Sequence, residues 1–390
     1  MKLFEGISRN VFVLGVVSFL TDVSSEMVFP IIPLFLTTVL GAGKEVIGLI
    51  EGVADSIASL MDIFFGYWSD RSGRRKDFVI AGYGLSSVLK IGLVFAGAWQ
   101  HILVIRGSER IGKSLRTSPR DAIIASSTDE KNRGRAFGLH RAMDTLGALI
   151  GPVVAFGVFT LYGENEPAFR TIFMIALVPA FLAVLAIAFF VKEPKAAAKP
   201  LEKKPKFWES LRMLDSRYKR FLGISCLFSL AYFSYALLIV RAGDIGLGVQ
   251  DAIMAYLTFN GVYFLASMPI GGLSDRVGRK PVIASAFVLY ALICVGFIIA
   301  TELWQVVALF ALYGVFVAAD ESVNKAFISD ITSDKTRGIA LGAYSSAVGA
   351  AYLPANALFG VIWAMFGATA AFGAAAIVAV AAGLLMLAQK

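Results

Sequence analysis

Five cationic side chains fall within one long helical segment of the chain. The segment covers residues 102–127 and reads ILVIRGSERIGKSLRTSPRDAIIASS. Its cations follow one another at steps of four, three, three and four residues. An α-helix with 3.6 residues per turn places cations with this spacing along one ridge. The ridge consists of Arg106, Arg110, Lys113, Arg116 and Arg120.

A ridge of this kind cannot face lipid. Each charge at the centre of a bilayer costs about 2.5–3.5 kcal/mol on insertion scales. The ridge must therefore face acids, water or a polar ligand inside a helical bundle. Arg110 and Lys113 are candidates for holding an anionic group of a solute or for modulating nearby carboxyl groups.

Carboxyl groups on other segments supply a complementary chemistry. Asp22 and Glu26 are four residues apart, and so are Glu51 and Asp55, which places each pair on one helical face. Carboxyls in a cavity can exchange a proton as access alternates. The same types recur later in the chain as Arg241, Asp320, Glu321 and Lys325.

A fixed ion-pair network that only sets helix register is the alternative interpretation. We favour the functional one for the set as a whole, because apolar packing alone would suffice for register. Four further charges are expected nearer the cytoplasmic end, with structural or gating roles. These are Asp62, Arg120, Asp121 and Asp144.

Composition identifies the elements that must position these residues. Of 390 residues, 57% are hydrophobic and 16% charged, against about 25% charged in soluble proteins. Apolar segments long enough to span a bilayer recur throughout. They predict an all-α polytopic membrane protein with twelve transmembrane helices at about 10–38, 46–68, 78–98, 102–127, 136–162, 169–191, 220–242, 251–273, 281–300, 303–329, 338–366 and 368–388.

The net charge is +8, and cationic residues recur in alternate short loops. This placement is typical of a membrane protein and argues against nucleic-acid binding. By the positive-inside rule, both termini and the linker at 192–219 are cytoplasmic. Part of that linker has the pattern of an interfacial helix, with a solvated connector as the alternative. The two cysteines, Cys226 and Cys294, lie in apolar runs and are interpreted as packing residues.

The chain contains an internal repeat. GYWSDRSGRRK at Gly66–Lys76 returns as GLSDRVGRK at Gly272–Lys280, and Asp70 to Asp275 is a shift of 205 residues. Other residues of the first half recur at a shift of 204 residues. The same shift pairs Arg116 with Asp320. Two parallel halves follow, with predicted bundles at 1–191 and 220–390 joined by the linker.

The repeated loop resembles the signature of the major facilitator superfamily. Its positions are Gly66, Asp70, Arg71, Gly73, Arg74 and Arg75, and again Gly271, Asp275, Arg276, Gly278, Arg279 and Lys280. The resemblance implies two six-helix bundles around a cavity lined by the first, fourth, seventh and tenth helices, with alternating access by rocking. It also implies that Asp70 and its arginines latch helices at the cytoplasmic side.

A second resemblance lies in the fifth predicted helix. Gly147, Gly151 and Pro152 are similar to a motif of proton-coupled exporters in this superfamily. Two small residues four apart also permit close helix packing, and proline supplies a bend. Export is therefore favoured only slightly over import.

These observations predict a proton-coupled secondary transporter of a small polar or charged solute. The expected partners are the solute, protons and the lipid bilayer, for a monomer in a prokaryotic inner membrane. No catalytic arrangement, cofactor motif or metal-ligand spacing is visible. A metal or metal-chelate transporter, suggested by the acids of the first two helices, and a non-transporting membrane sensor are the alternatives.

Overall fold

The computed structural model describes residues 8–72, 74–129, 132–193, 214–332 and 337–389. Within these ranges the chain is helical and no strand is present. The helices are α1 Arg9–Val28, α2 Ile32–Thr38, α3 Lys44–Ser72, α4 Arg75–Val94, α5 Trp99–Ser126, α6 Arg133–Tyr162, α7 Glu166–Phe190, α8 Ser216–Ala231, α9 Tyr235–Asp244, α10 Val249–Val277, α11 Arg279–Ile299, α12 Leu303–Ile331, α13 Arg337–Phe366 and α14 Ala368–Ala388.

Among the described residues, ten helical spans are long and apolar enough to cross a membrane. The α1–α2 pair forms one of them and the α8–α9 pair another. The two remaining long helices, α3 with 29 residues and α5 with 28, contain many of the charged candidates. Each predicted span therefore corresponds to a helical span, and the predicted all-α membrane fold is confirmed.

Two predicted spans are not continuous helices. The first is interrupted between Val28 and Ile32, where Pro30 lacks a backbone donor and Pro33 begins the next helix. The seventh is interrupted between Ala231 and Tyr235, and there the Ser234 hydroxyl accepts from the Ala236 amide to cap α9. Hydropathy alone predicted unbroken helices, because both interruptions are as apolar as their surroundings.

Contacts group the chain into two compact units. The first unit contains Met1–Gly41 and Ile57–Ala198, and the second contains Ala42–Ser56 and Lys199–Lys390. The beginning of α3 thus packs with the second unit, where the Ser56 hydroxyl donates to the Gly349 carbonyl at 2.7 Å. The bundles at 1–191 and 220–390 were predicted from the sequence duplication, not from contacts, and their boundaries stay a prediction.

One core cluster of the first unit is mostly aliphatic. Its buried side chains come from α1, α4, α5, α6 and α7, including Val11, Leu14, Tyr83, Ile123 and Ile187. The core of the second unit is aromatic: the rings of Phe228 and Phe287 stack at 3.8 Å, and those of Phe233 and Phe359 at 3.7 Å. Most of the predicted interfacial helix falls in 194–213, outside the described residues.

Candidate functional site

The charged centre of the first unit lies around the second half of α1. The side chains of Asp22 on α1 and Asp144 on α6 hydrogen-bond each other. Asp144 also accepts from the Ser18 hydroxyl at 2.6 Å and from the Arg141 guanidinium at 3.1 Å. A hydrogen bond between two carboxyl groups requires that one of them carries a proton. Asp144 therefore lies at this centre, and its predicted structural or gating role stays a prediction.

Two glycines bring α6 against α1 at this point. A side-chain carbon at Gly147 would lie 3.0 Å from the Asp22 Cβ, and one at Gly151 would lie 2.8 Å from the Met27 amide nitrogen. Small residues four apart permit such an approach between helices. Pro152 follows inside α6. The predicted Gly147–Pro152 motif thus lies where the two carboxyl groups meet. Glu26 is half-buried one turn beyond Asp22.

A buried ion pair lies on the α4 and α5 side of α1. The Lys90 ammonium is 3.7 Å from the Glu109 carboxylate, and both side chains are almost fully buried. Lys90 also donates to the hydroxyls of Ser24 and Ser25, at 2.8 and 2.9 Å. The pair therefore links α1, α4 and α5 through charge-assisted hydrogen bonds.

Sequence reasoning missed this pair. Lys90 is a single cation in an apolar span, and Glu109 lies between two of the ridge arginines. The isolated lysine was the available signal, since a lone charge in a membrane helix requires a partner.

The cationic ridge divides among different surroundings. The guanidinium carbons of Arg106 and Arg110 lie 4.4 and 5.5 Å from the centre of the Phe29 ring, next to the break after α1. Arg116 lies 4.3 Å from the Tyr83 ring and donates to the Ser86 hydroxyl at 2.7 Å, so α4 covers it.

The two remaining ridge cations are more accessible. Arg120 donates to its neighbour Asp121 at 2.9 Å. Lys113 is exposed, and its charge acts on both Asp22 and Asp144. The charges of Arg116 and Arg120 also act on Asp22 and Asp144, respectively, but their hydrogen bonds go to Ser86 and Asp121.

The second unit holds the remaining predicted residues at separate places. Glu51 is buried and accepts from the Ser234 hydroxyl at 3.2 Å, beside the break before α9. Asp55 is half-buried one turn later on α3. Arg241 donates to the carbonyls of Phe297 and Ile298 at the end of α11.

The candidates on α12 separate as well. The Asp320 carboxylate accepts from the Asn324 amide at 2.7 Å, whereas Glu321 accepts from the Tyr263 hydroxyl at 2.7 Å. Lys325 is exposed. Asp320 therefore bonds within α12, whereas Glu321 reaches Tyr263 of α10, although the two acids are adjacent in sequence.

The second copy of the repeated loop forms a three-helix junction. Arg279 at the start of α11 pairs with Asp275 of α10 at 2.6 Å and with Asp330 of α12 at 3.1 Å. Gly278 precedes it with φ of +96°, a conformation that favours glycine. Arg276 is exposed. An arginine that pairs with two carboxylates in this way can hold helix ends together.

The first copy has a different partner. The Glu193 carboxylate accepts from the backbone amides of Arg75 and Lys76 at 3.2 and 2.6 Å, at the start of α4. Arg74 pairs with Asp77 at 3.7 Å. Gly73 lies outside the described residues. The side chains of Asp62, Asp70 and Arg71 and the surroundings of Gly66 are also outside what the structure describes.

Comparison with known proteins identifies the family. A model of the Major Facilitator Superfamily matches residues 14–261 and 221–389. The chain belongs to this superfamily. It is a multi-pass membrane transporter and not an enzyme, as the sequence predicted.

Two relatives illustrate the range of similarity. An uncharacterized MFS-type transporter of Methanocaldococcus jannaschii is 36% identical over 387 residues, covering 98% of this chain and 95% of the relative. Multidrug resistance protein MdtG of Proteus mirabilis is 26% identical over 330 residues, covering 80% and 78%.

Solved structures share the fold at low identity. The nucleoside transporter NupG superposes with a TM-score of 0.80 at 14% identity, covering 98% of this chain and 99% of that one. The peptide transporter POT in complex with sulfate has a TM-score of 0.80 at 15% identity, covering 99% and 95%. These likenesses concern the fold alone.

Proposed function

We propose that this chain is a proton-coupled secondary transporter that moves a small solute with an anionic group by alternating access, with export slightly favoured. It would act in a prokaryotic inner membrane with both termini in the cytoplasm. The observation that carries the proposal is the hydrogen bond between the carboxyl groups of Asp22 and Asp144.

A carboxyl–carboxyl hydrogen bond requires a proton, since two carboxylates have no donor between them. When Asp22 loses that proton, two like charges face each other across the α1–α6 interface and repel. The close packing at Gly147 holds the Asp22 backbone against α6, so the repulsion acts directly on helix packing. Proton release thereby favours a different arrangement of α1.

The cations of α5 supply the link to the solute. Lys113 is exposed and Arg110 is half-buried, and the Lys113 charge acts on both acids. An anionic group bound at Lys113 would weaken the influence of that ammonium on Asp22. Binding of the solute and binding of the proton at Asp22 would then be coupled through the Lys113 side chain.

Two observations support the direction of transport. The Gly147–Pro152 motif, similar to one of proton-coupled exporters, lies at the contact between α6 and Asp22–Met27. A relative at 26% identity is named a multidrug resistance protein. Both favour export, and transport assays with a defined orientation measure it directly.

The test uses proteoliposomes that contain the purified chain and a trapped pH-sensitive dye. An organic carboxylate, a phosphate ester, a sulfonate and a cationic dye are added in turn at a fixed pH gradient. We expect at least one of the anions to drive proton movement in wild-type vesicles, and Asp22→Asn vesicles to show only background leak. Absence of solute-dependent proton movement with all four probes would contradict proton coupling.

The alternatives receive less support. No group of three or more His, Cys, Asp or Glu residues able to hold a metal occurs within the part of the chain that the structure describes. Metal transport therefore lacks a structural observation in its favour. A sensor would bind one of the anions, seen as a thermal shift, without moving it across the vesicle membrane.

A further inference from the structure

A small polar cavity lies inside the second unit, where α8 ends. Residues of α8, α11, α12 and α13 line it, and its polar groups are those of Ser225, Ser229, Asp320, Tyr344 and Tyr352 together with Tyr232. The space has room for about one water-sized guest. It is therefore a site for a single small species rather than for an organic solute.

One carboxylate dominates the charge of this cavity. Asp320 accepts from the neutral Asn324 amide at 2.7 Å, and no Lys, Arg or His of the described ranges forms an ion pair with it. Glu321 and Lys325, the nearest charges on the same helix, act on it only at longer range. Asp320 is half-buried, and a carboxylate withdrawn from water without a positive partner is costly, so a cation at this position would stabilise the unit.

Neutral oxygens lie at or next to the same space, since Ser225 lines it and Asn324 bonds to Asp320 beside it. Ser225 is 2% exposed and Asn324 is 1% exposed. The Ser225 and Asn324 side chains share the Tyr344 hydroxyl as a hydrogen-bond partner, but no contact of regular geometry within the described ranges reaches the Ser225 Oγ or the Asn324 Oδ1. Buried oxygens of this kind are costly unless they are hydrogen-bonded or coordinate a cation. Hydroxyl, amide and carboxylate oxygens are the ligands of hard cations.

The interrupted seventh span adds a third contribution. Ser229 and Tyr232, which line the cavity, belong to the last turn and the C-cap of α8. The C-terminal end of a helix carries the equivalent of roughly half a negative charge. Broken helices in transporters use such half-helix ends to coordinate coupling cations.

We propose that this cavity binds one Na⁺ ion, with the Asp320 carboxylate and the Ser225 hydroxyl among its ligands. A single carboxylate neutralises a single positive charge, which favours a monovalent ion over Ca²⁺, whose sites gain affinity from several charged ligands. The site lies in the second unit and is independent of the proton proposed at Asp22. A cavity of this size could also hold water alone, and the test separates the two.

The experiment measures the thermal unfolding temperature of the purified full-length chain in detergent, at one pH. Sodium chloride is titrated against potassium chloride and N-methylglucamine chloride at equal ionic strength. We expect a saturable rise of a few degrees with Na⁺ only, since a ligand that binds the folded state stabilises it. Equal responses to all three salts would overturn the proposal and leave the cavity with water.

Three variants locate the site. Asp320→Asn should abolish the Na⁺-specific rise, and Ser225→Ala should raise the half-saturating Na⁺ concentration by about tenfold or more, corresponding to about 1.4 kcal/mol. Glu321→Gln is the matched control, because that carboxylate contacts Tyr263 instead, and it should keep the wild-type response. If Asp320→Asn fails to fold, Ser225→Ala decides alone.

The Na⁺ response can be tested separately from proton coupling. Asp22→Asn should keep the full Na⁺ response, because Asp22 belongs to the other unit. A Na⁺-specific rise that persists unchanged in both Asp320→Asn and Ser225→Ala would refute the assignment. Loss of proton movement in Asp22→Asn vesicles does not bear on it.

Discussion

Helices α5 and α12 occupy equivalent positions in the repeat, yet their buried faces differ in chemistry. At a shift of 204 residues, Arg106 corresponds to Phe310, Glu109 to Tyr313, and Arg116 to Asp320. Glu109 and Tyr313 are both buried, at 4% and 1% exposure. The same register thus holds an ion pair in one unit and a tyrosine in the other.

The difference shows how each unit satisfies its polar groups. In the first unit, Lys90 and Glu109 form an ion pair and Asp22 hydrogen-bonds Asp144. In the second unit, the hydroxyls of Tyr232 and Tyr313 pair at 2.9 Å without any charge. Charged pairs respond to protons and ions, whereas tyrosine pairs mainly pack. This contrast is why we propose proton coupling in the first unit and a separate cation site at Asp320 in the second.

The largest effect is expected at the exposed ridge cation. Lys113→Ala should reduce solute-driven proton movement in proteoliposomes to background while the thermal unfolding temperature stays close to that of the wild type. Lys113→Arg keeps the positive charge and should retain measurable flux. Wild-type flux in Lys113→Ala would show that the ridge does not serve transport and would remove the functional contrast between the units.

Breaking the buried ion pair should cost stability. Lys90→Met leaves the Glu109 carboxylate buried and uncompensated, and we expect a loss of about 3–5 kcal/mol in the free energy of unfolding. The double variant Lys90→Met/Glu109→Leu should recover most of that loss, because an apolar pair of similar volume can replace a buried ion pair. Unfolding in mixed micelles measures both, and equal losses in the single and double variants would argue against the pair.

A smaller effect is expected at the contact between α1 and α6. Gly151→Ala places a carbon 2.8 Å from the Met27 amide nitrogen and should destabilise the chain by about 1–3 kcal/mol through overpacking. Gly157→Ala on the same helix is the control, since nothing lies within 4 Å of that position. It should be neutral or stabilising by up to about 1 kcal/mol. Similar unfolding free energies for the two variants would contradict close packing at Gly151.

The smallest effect is expected for the tyrosine pair of the second unit. Tyr313→Phe removes the partner of the Tyr232 hydroxyl while the ring keeps its packing, so the cost should be about 1 kcal/mol. Measured in the same micelles, this loss should be well below that of Lys90→Met. A loss of equal size would mean that the tyrosine pair carries as much energy as the ion pair.

Local sequence pattern predicted much of this architecture. The spans follow from runs of apolar residues, and the position of all five cations on α5 follows from their spacing, because helical periodicity is a property of neighbouring residues. The repeat and its loop signature were readable because duplication preserves spacing. The interruption of the seventh span was not readable, since no proline or charge marks Tyr232 or Phe233 and the cap comes from Ser234.

The sequence by itself determined which residues are charged, which helices carry them and at what spacing. Only the tertiary structure decided their partners: Lys90 meets Glu109 and two serines of α1, Asp22 meets Asp144, and Arg116 donates to Ser86 of α4. The physical reason is that a charge in a bundle is satisfied by side chains distant in sequence. Which helix lies against which, and at what depth, depends on the packing of whole helices rather than on any local pattern.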